Sequence, residues 1–380
     1  MNKILLSAPH MSDEGYEQKY IKEAFDTNWI ACVGNNVDMF EEEIAEVVHA
    51  NKTVAVYSGT AAIHMALKAV GINAGDIVFC QSLTFSASTN PIIYENGIPV
   101  FIDSEEASWN MSPTALRKGL QKYKEIDKLP KAVIVVHLYG NVANILEIKE
   151  ICEEYNVALI EDSAESLGTT INGKYSGTFG EFGIFSFNGN KIITCSGGGM
   201  VICNGENALN NAEKIKFWST QAREPERYYQ HTEIGYNYRM SNIVAGIGRG
   251  QLKVLNQRIE RKRYIYHYYK NELSHIKDIT FIPIDSYNSV SNCWLTVIQV
   301  APKSKIRPLD ILLSLEKNNI ETRPVWKPMH LQPVFEKYDY IDNDHVSQTL
   351  FDNGLCLPSG TSMTDNDLSR ICKIIKELWK

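Results

Sequence analysis

Residues 131–162, KAVIVVHLYGNVANILEIKEICEEYNVALIED, decide the fold. KAVIVVH and VALIED are short, unbroken apolar runs, and NILEIKEICEEY between them carries apolar residues at helical spacing. Strands that are apolar on both faces, alternating with helices, predict a largely parallel sheet covered on both sides. The same alternation extends outward. Towards the N-terminus, KTVAVYS (52–58), DIVFC (76–80) and PVFID (99–103) read as strands, and TAAIHMALKAV (60–70) reads as a helix. Towards the C-terminus, FGIFSF (182–187) and GMVIC (199–203) read as a pair of strands. DEGYEQKYIKEAF (13–25) places Tyr16, Tyr20, Ile21, Ala24 and Phe25 on one helical face, and the loop NWIACVG follows.

After about residue 240 the pattern changes. One long helical stretch, 242–273, leads to ITFIPI (279–284) and CWLTVIQV (293–300), then to helices over PLDILLSLEKNN (308–319) and DNDLSRICKIIKELWK (365–380). The expected organisation is a large α/β domain over 1–245 and a smaller α+β domain over 246–380. The sequence has no internal repeat or low-complexity tract.

Bulk composition excludes several classes. The 380 residues are 44% hydrophobic and 22% charged, with no apolar run near the roughly 18 residues of a membrane span. Lys and Arg total 38 against 45 Asp and Glu, a net charge of −7, so nothing favours nucleic acid as a general partner. The eight cysteines form no CxxC pair and do not cluster with histidine, which predicts free thiols in a reducing compartment and no metal site. The first residues carry only a short apolar run, unlike a secretory signal, so a cytoplasmic protein is expected.

Four short stretches carry chemical potential. In YSGTAAIHMAL, Ser58, Gly59 and Thr60 stand where a strand gives way to a helix, either as plain capping or as an anion cradle of free N–H groups. Asp162 ends the apolar strand VALIED, where ligands gather in open α/β sheets; it could also cap a helix or join an ion pair. Phe85, in SLTFSASTNPI, offers a flat apolar face or ordinary packing. In FSFNGNKIITCSGGGM (185–200), Lys191 is a lone charge in an apolar, hairpin-like run ending in three glycines. An edge-strand lysine facing solvent and a lysine reaching a cofactor both fit that pattern. A fifth stretch, EIGYNYRMSNI, surrounds Asn237 with Tyr236, Tyr238 and Arg239, as an interface loop would.

In this order, the Ser-Gly-Thr helix start, the aromatic loop, the strand-terminal Asp, the lysine after SFNGN and GYNYRM resemble the DegT/DnrJ/EryC1/StrS family of pyridoxal-phosphate sugar aminotransferases. That resemblance runs from LSAPHMS (6–12) to LCLPSGTSM (355–363) and implies the type I aminotransferase fold of aspartate aminotransferase. LSAPHMS, FNGNKIIT, SGGGM, QAREP and ETRPVWKPMH look most like the subgroup that makes UDP-4-amino-4,6-dideoxy-N-acetylglucosamine. Many relatives have Gly-Glu-Gly-Gly after the lysine where this chain has SGGG.

The resemblance implies Lys191 as the residue that carries pyridoxal 5'-phosphate and moves protons, and Asp162 as the partner of its ring nitrogen. Gly59, Thr60 and Ser186 would meet the phosphate with Ser58 nearby, Phe85 would stack on the ring, and Glu165 would lie near the ring hydroxyl. A carboxylate at Glu165 would repel a phenolate unless protonated. Asn237 would reach the phosphate of the neighbouring subunit, making a homodimer with shared sites. For the sugar nucleotide, the resemblance points to Asn28, Trp29, Ile30 and Ala31 and to Arg323, Pro324, Val325, Trp326 and His330. The implied partners are L-glutamate and a UDP-linked 4-keto-6-deoxy sugar. Alternatives are a dTDP- or GDP-linked sugar, as in a perosamine synthase, and a non-catalytic pyridoxal-phosphate-binding regulatory protein. A sugar dehydratase of this kind would lack the lysine, and a nicotinamide dehydrogenase would need a G-x-G-x-x-G after the first strand.

Overall fold

The structure, a computed structural model, describes residues 2–380. Its main feature is an eight-stranded sheet. From edge to edge the order is Lys52–Val56, Gly199–Cys203, Phe182–Ser186, Ala158–Asp162, Ala132–Val136, Ile77–Gln81, Ile98–Ile102 and Tyr340–Ile341. Only Gly199–Cys203 runs against the others, so the sheet is largely parallel as the apolar runs predict. Burial on both faces is visible along one strand. Ala132 and Ile134 pack into one apolar cluster while Val133 and Val135 pack into another.

The helices expected from patterning form, as Tyr16–Asp26, Gly59–Val70, Ile145–Tyr155, Pro308–Lys317 and Asp365–Glu377. Three further ones, Asn35–Val48, Pro113–Glu125 and Ala208–Ser219, add to the cover. The stretch 242–273 is not one helix but two, Asn242–Leu252 and Leu255–Leu273, with a turn at Lys253 and Val254. The first packs against Tyr16–Asp26 and Asn35–Val48, and the expected boundary at 245/246 falls within it. The second packs against Asp365–Glu377 beside an antiparallel four-stranded sheet of Ile279–Phe281, Thr296–Val300, Gly354–Leu357 and Arg323–Pro324.

Two crossing segments tie the two regions together. Ile4 pairs with Ile320 beside the small sheet, and Tyr340–Ile341 adds to the edge of the large one. All eight cysteines are unpaired, and seven are buried. Among the described residues, no helix is long and apolar enough to cross a membrane.

Candidate active site

The candidate side chains gather at the C-terminal ends of the parallel strands, where an open α/β sheet presents its ligand crevice. Asp162 is the last residue of its strand and Ser186 the last of the next, with the helix Gly59–Val70 beginning beside them. Together with Ser58, Gly59, Thr60, Glu165 and Lys191 they line one cavity of about 320 Å³.

The anion end is built from backbone. Ser58 caps the helix, its Oγ accepting from Ala61 N at 3.1 Å, and leaves the N–H groups of the first turn facing the cavity end of the helix. The strand that begins at Gly199 passes so close that a Cβ there would lie 2.3 Å from the Ser58 carbonyl oxygen and 2.6 Å from Gly59 N. Gly198 has φ +136°, a conformation suited to glycine. Gly198 and Gly199 are thus what let this strand lie against the helix start. A Cβ on Gly59 would sit 3.1 Å from that of Ser186, so the small residue keeps the cradle open.

Asp162 is 5% exposed. Its Oδ2 accepts from Ser88 Oγ at 2.6 Å, and Oδ1 from Ala164 N at 3.2 Å. Thr84 supports Ser88, with the two hydroxyl oxygens 2.7 Å apart. Glu165 accepts from Tyr139 N at 2.6 Å and lies 3.4 Å from Lys191 Nζ. Burial pushes the Glu165 carboxyl above its ordinary range. The Lys191 ammonium and the Tyr139 N–H oppose that shift, and the Asp162 charge adds to it.

Lys191 lies in the turn between Phe182–Ser186 and Gly199–Cys203, in no strand, and its side chain is 11% exposed. This overturns the edge-strand alternative: the lysine points inward, its Nζ lying 4.3 Å from the centre of the Trp294 ring.

The site opens into a wider cavity of about 890 Å³, with Thr84, Phe85, Asn190, Trp294 and Trp326 shared by both walls. Phe85 is 58% exposed and stands edge-on to Trp326, ring centres 5.2 Å apart. Arg323, Pro324, Val325 and Lys327 line the outer wall, where Arg323 pairs with Glu321 at 2.8 Å.

Other candidates lie elsewhere. His330 stacks on Tyr340 at 3.7 Å and shares a hydrogen bond with Ser82 Oγ at 2.7 Å, outside the walls of both cavities. The segment Asn28–Ala31 is exposed, its Trp29 and Ala31 carbonyls accepting from Asn242. Asn237 is exposed and lines neither cavity of its own chain. Residues not singled out from sequence include Ser88, Thr84, Asn190 and Trp294. The first two sit in the already suspect SLTFSASTN, whereas Trp294 arrives from the distant C-terminal region.

The donor set fits pyridoxal phosphate. A helix N-terminus with Ser186 suits its phosphate, Asp162 suits a protonated ring nitrogen, and Lys191 stands on the same cavity wall as both.

The DegT/DnrJ/EryC1/StrS aminotransferase family matches residues 12–376 of this chain. EpsN of Bacillus subtilis (strain 168), which carries the provisional name of a pyridoxal phosphate-dependent aminotransferase, is 52% identical over 99% of this chain and 96% of its own. A Vibrio cholerae protein named GDP-perosamine synthase is 34% identical over 96% of this chain and 97% of its own. Among solved structures, a DegT DnrJ EryC1 StrS aminotransferase from Brucella abortus has a TM-score of 0.88 and 25% identity, covering 96% of this chain and 95% of its own.

Proposed function

The chain belongs to the DegT/DnrJ/EryC1/StrS aminotransferase family, and from that premise we propose that it moves the amino group of L-glutamate to C4 of a UDP-linked 4-keto-6-deoxy-N-acetylhexosamine. The products are UDP-4-amino-4,6-dideoxy-N-acetylglucosamine and 2-oxoglutarate. The observation that carries the reading is the meeting of Lys191, Asp162 and the Ser58–Thr60 helix start in one cavity that opens into a larger one. A volume of about 890 Å³ is in the range that accommodates a ligand of nucleotide-sugar size.

Bound pyridoxal phosphate supplies a carbon that accepts an amino group and a ring that takes up the electrons released at the substrate carbon. The chain's own groups do the rest. Asp162, oriented by Ser88 and Ala164 N, holds a proton on the ring nitrogen. Lys191 anchors the group and, once freed, moves a proton at its Nζ. Glu165, its carboxyl favoured in the protonated form by burial, is suited to face an oxyanion as a donor. Phe85 and Trp326 offer ring faces to cofactor and base, and Arg323 offers a guanidinium to the diphosphate.

We further propose a homodimer with shared sites, working in the cytoplasm. Phe25, Trp29, Ile30 and Val33 are 61%, 57%, 44% and 64% exposed, a grouping of apolar side chains in one short segment that suits an interface. Asn28–Ala31 and Asn237 would then serve the partner's cavity.

A GDP-linked substrate is the second reading, favoured by the likeness to a protein named GDP-perosamine synthase. The test is the visible absorbance of the protein loaded with pyridoxal phosphate. Glutamate should bleach the cofactor band and the UDP-4-keto sugar should restore it, more effectively than its dTDP and GDP counterparts. A band that glutamate leaves unchanged removes the aminotransfer reading, and faster restoration by the GDP sugar selects the second one.

A further inference from the structure

Lys262 lies on the helix Leu255–Leu273, outside the walls of both large cavities, and is 2% exposed. Buried lysines are ordinarily paired with a carboxylate. This one instead donates to the Trp294 carbonyl at 2.8 Å and to Ser7 Oγ at 3.1 Å. Both of those residues bond onward to a single atom. Trp294 Nε1 donates to the Asn190 carbonyl at 2.7 Å, and Ser7 Oγ donates to the same oxygen at 3.0 Å. Asn190 immediately precedes Lys191, and the Trp294 ring lies under the Lys191 ammonium.

We propose that Lys262 is a positioning residue for Lys191, closing a clamp in which Ser7 and Trp294 together hold the Asn190 carbonyl. The clamp joins segments far apart in the chain: the N-terminal stretch, the turn that carries Lys191, the approach to the strand Thr296–Val300, and the long helix. Each bond has a direction that leaves little freedom. The Asn190 oxygen has two lone pairs and receives two donors. Ser7 accepts from Lys262 and donates to Asn190 through one hydroxyl. Trp294 is held from behind as well, its N–H donating to Asn292 Oδ1 at 2.9 Å and its ring stacked on Tyr139.

A lysine suits this place better than another donor. Burial lowers its amine to about 7, and the neutral amine still has two N–H groups for two acceptors. The clamp therefore closes without a buried counter-ion. Replacing Lys262 by methionine would leave a carbonyl and a hydroxyl without their shared donor, and the slack would pass to the Lys191 turn.

The inference rests on Lys191 being the cofactor lysine. Its test follows covalent attachment directly: the full chain, stripped of cofactor, is mixed with pyridoxal phosphate, reduced with borohydride at timed intervals and weighed by mass spectrometry, with the modified peptide identified. In the parent, label should appear on Lys191; label elsewhere overturns the site reading itself. In Lys262→Met, attachment and kcat should each fall about tenfold or more while KM for glutamate stays within about threefold. Trp294→Phe keeps a ring but loses the Nε1 donor and should slow attachment less. The double variant should be no slower than Lys262→Met alone, because both act through one carbonyl. A folded Lys262→Met chain that attaches cofactor within about twofold of the parent rate, or losses that simply add in the double variant, would overturn the clamp. Should Lys262→Met fail to fold, Ser7→Ala and Trp294→Phe decide: slowed attachment in both supports the clamp, and unchanged attachment in both overturns it.

Discussion

Asp162 and Glu165 show at the scale of single residues how two carboxyls in one cavity stand in different surroundings. Asp162 receives a hydroxyl and a backbone N–H, which fix its orientation on the cavity wall. Glu165 is driven by burial toward the neutral form. Asp162→Ala should abolish aminotransfer while leaving the melting transition near its parent position; a variant that still turns over at the parent rate would sink the role given to Asp162. Lys262 yields a second expectation, in stability. Burial lowers its amine from the ordinary 10.5 to about 7, so between those values the unfolded chain holds a proton that the folded chain has released. The penalty is therefore full below about pH 7 and relieved as pH rises toward 10.5, by at most about 1.4 kcal/mol per pH unit. Urea midpoints at pH 7 and pH 9 should rise more in the parent than in Lys262→Met, and equal rises would show that the amine is not depressed. Asp162 and the Ser58–Thr60 turn stood out in the sequence because each carries a local signal, a strand end or a helix start, whereas Lys191 fitted an edge-strand lysine equally well and stood out only through the family resemblance. Ser88 and Trp294 did not stand out, since they act through bonds to residues 74 and 104 positions away.

Elements divide along the same line. The central strands were legible because burial on both faces forces unbroken apolar runs, and runs that short, set between helical patterns, fit strands better than buried helices. Helix Asn35–Val48 was legible too, since Val37, Phe40, Ile44 and Val48 stand at helical spacing opposite a charged face, although the alternation read from Lys52 onward did not include it. The break at Lys253 and Val254 has no proline or glycine at the turn itself, although Gly246, Gly248 and Gly250 stand just before it. The glycine triplet was visible but its reason was not, since the close approach of Gly199 to Ser58 depends on a contact between distant segments. That approach makes a prediction about two neighbouring glycines. Gly199→Ala puts a Cβ 2.3 Å from the Ser58 oxygen and should destabilise by about 1–3 kcal/mol while weakening pyridoxal phosphate binding. A Cβ on Gly197 meets only the Tyr57 oxygen, at 3.7 Å, so Gly197→Ala should leave the denaturation midpoint close to the parent's. Equal midpoints for both variants would mean that the strand and helix start can part without loss.

Across the whole molecule, the cavity is closed by parts remote in sequence. Ser7 near one end, the turn around Lys191 and the segment Arg323–Lys327 share the walls of the wider cavity and its inner extension. One side remains to be accounted for. Asn237 and Asn28–Ala31 are exposed and line neither cavity of their own chain, although the family resemblance assigns them to phosphate and substrate. A symmetric dimer removes the conflict, because each chain can then present these residues to the other. The consequence is complementation. Lys191→Ala lacks the anchor but carries a sound Asn237, and Asn237→Asp carries the anchor but repels a phosphate, so each homodimer should be inactive or nearly so. Unfolded together and refolded as a mixture, half the dimers should be mixed, and each mixed dimer has one site with both native residues, giving about a quarter of the parent activity. If Asn237 instead served its own chain, every site in the mixture would keep one defect and activity would not return on mixing.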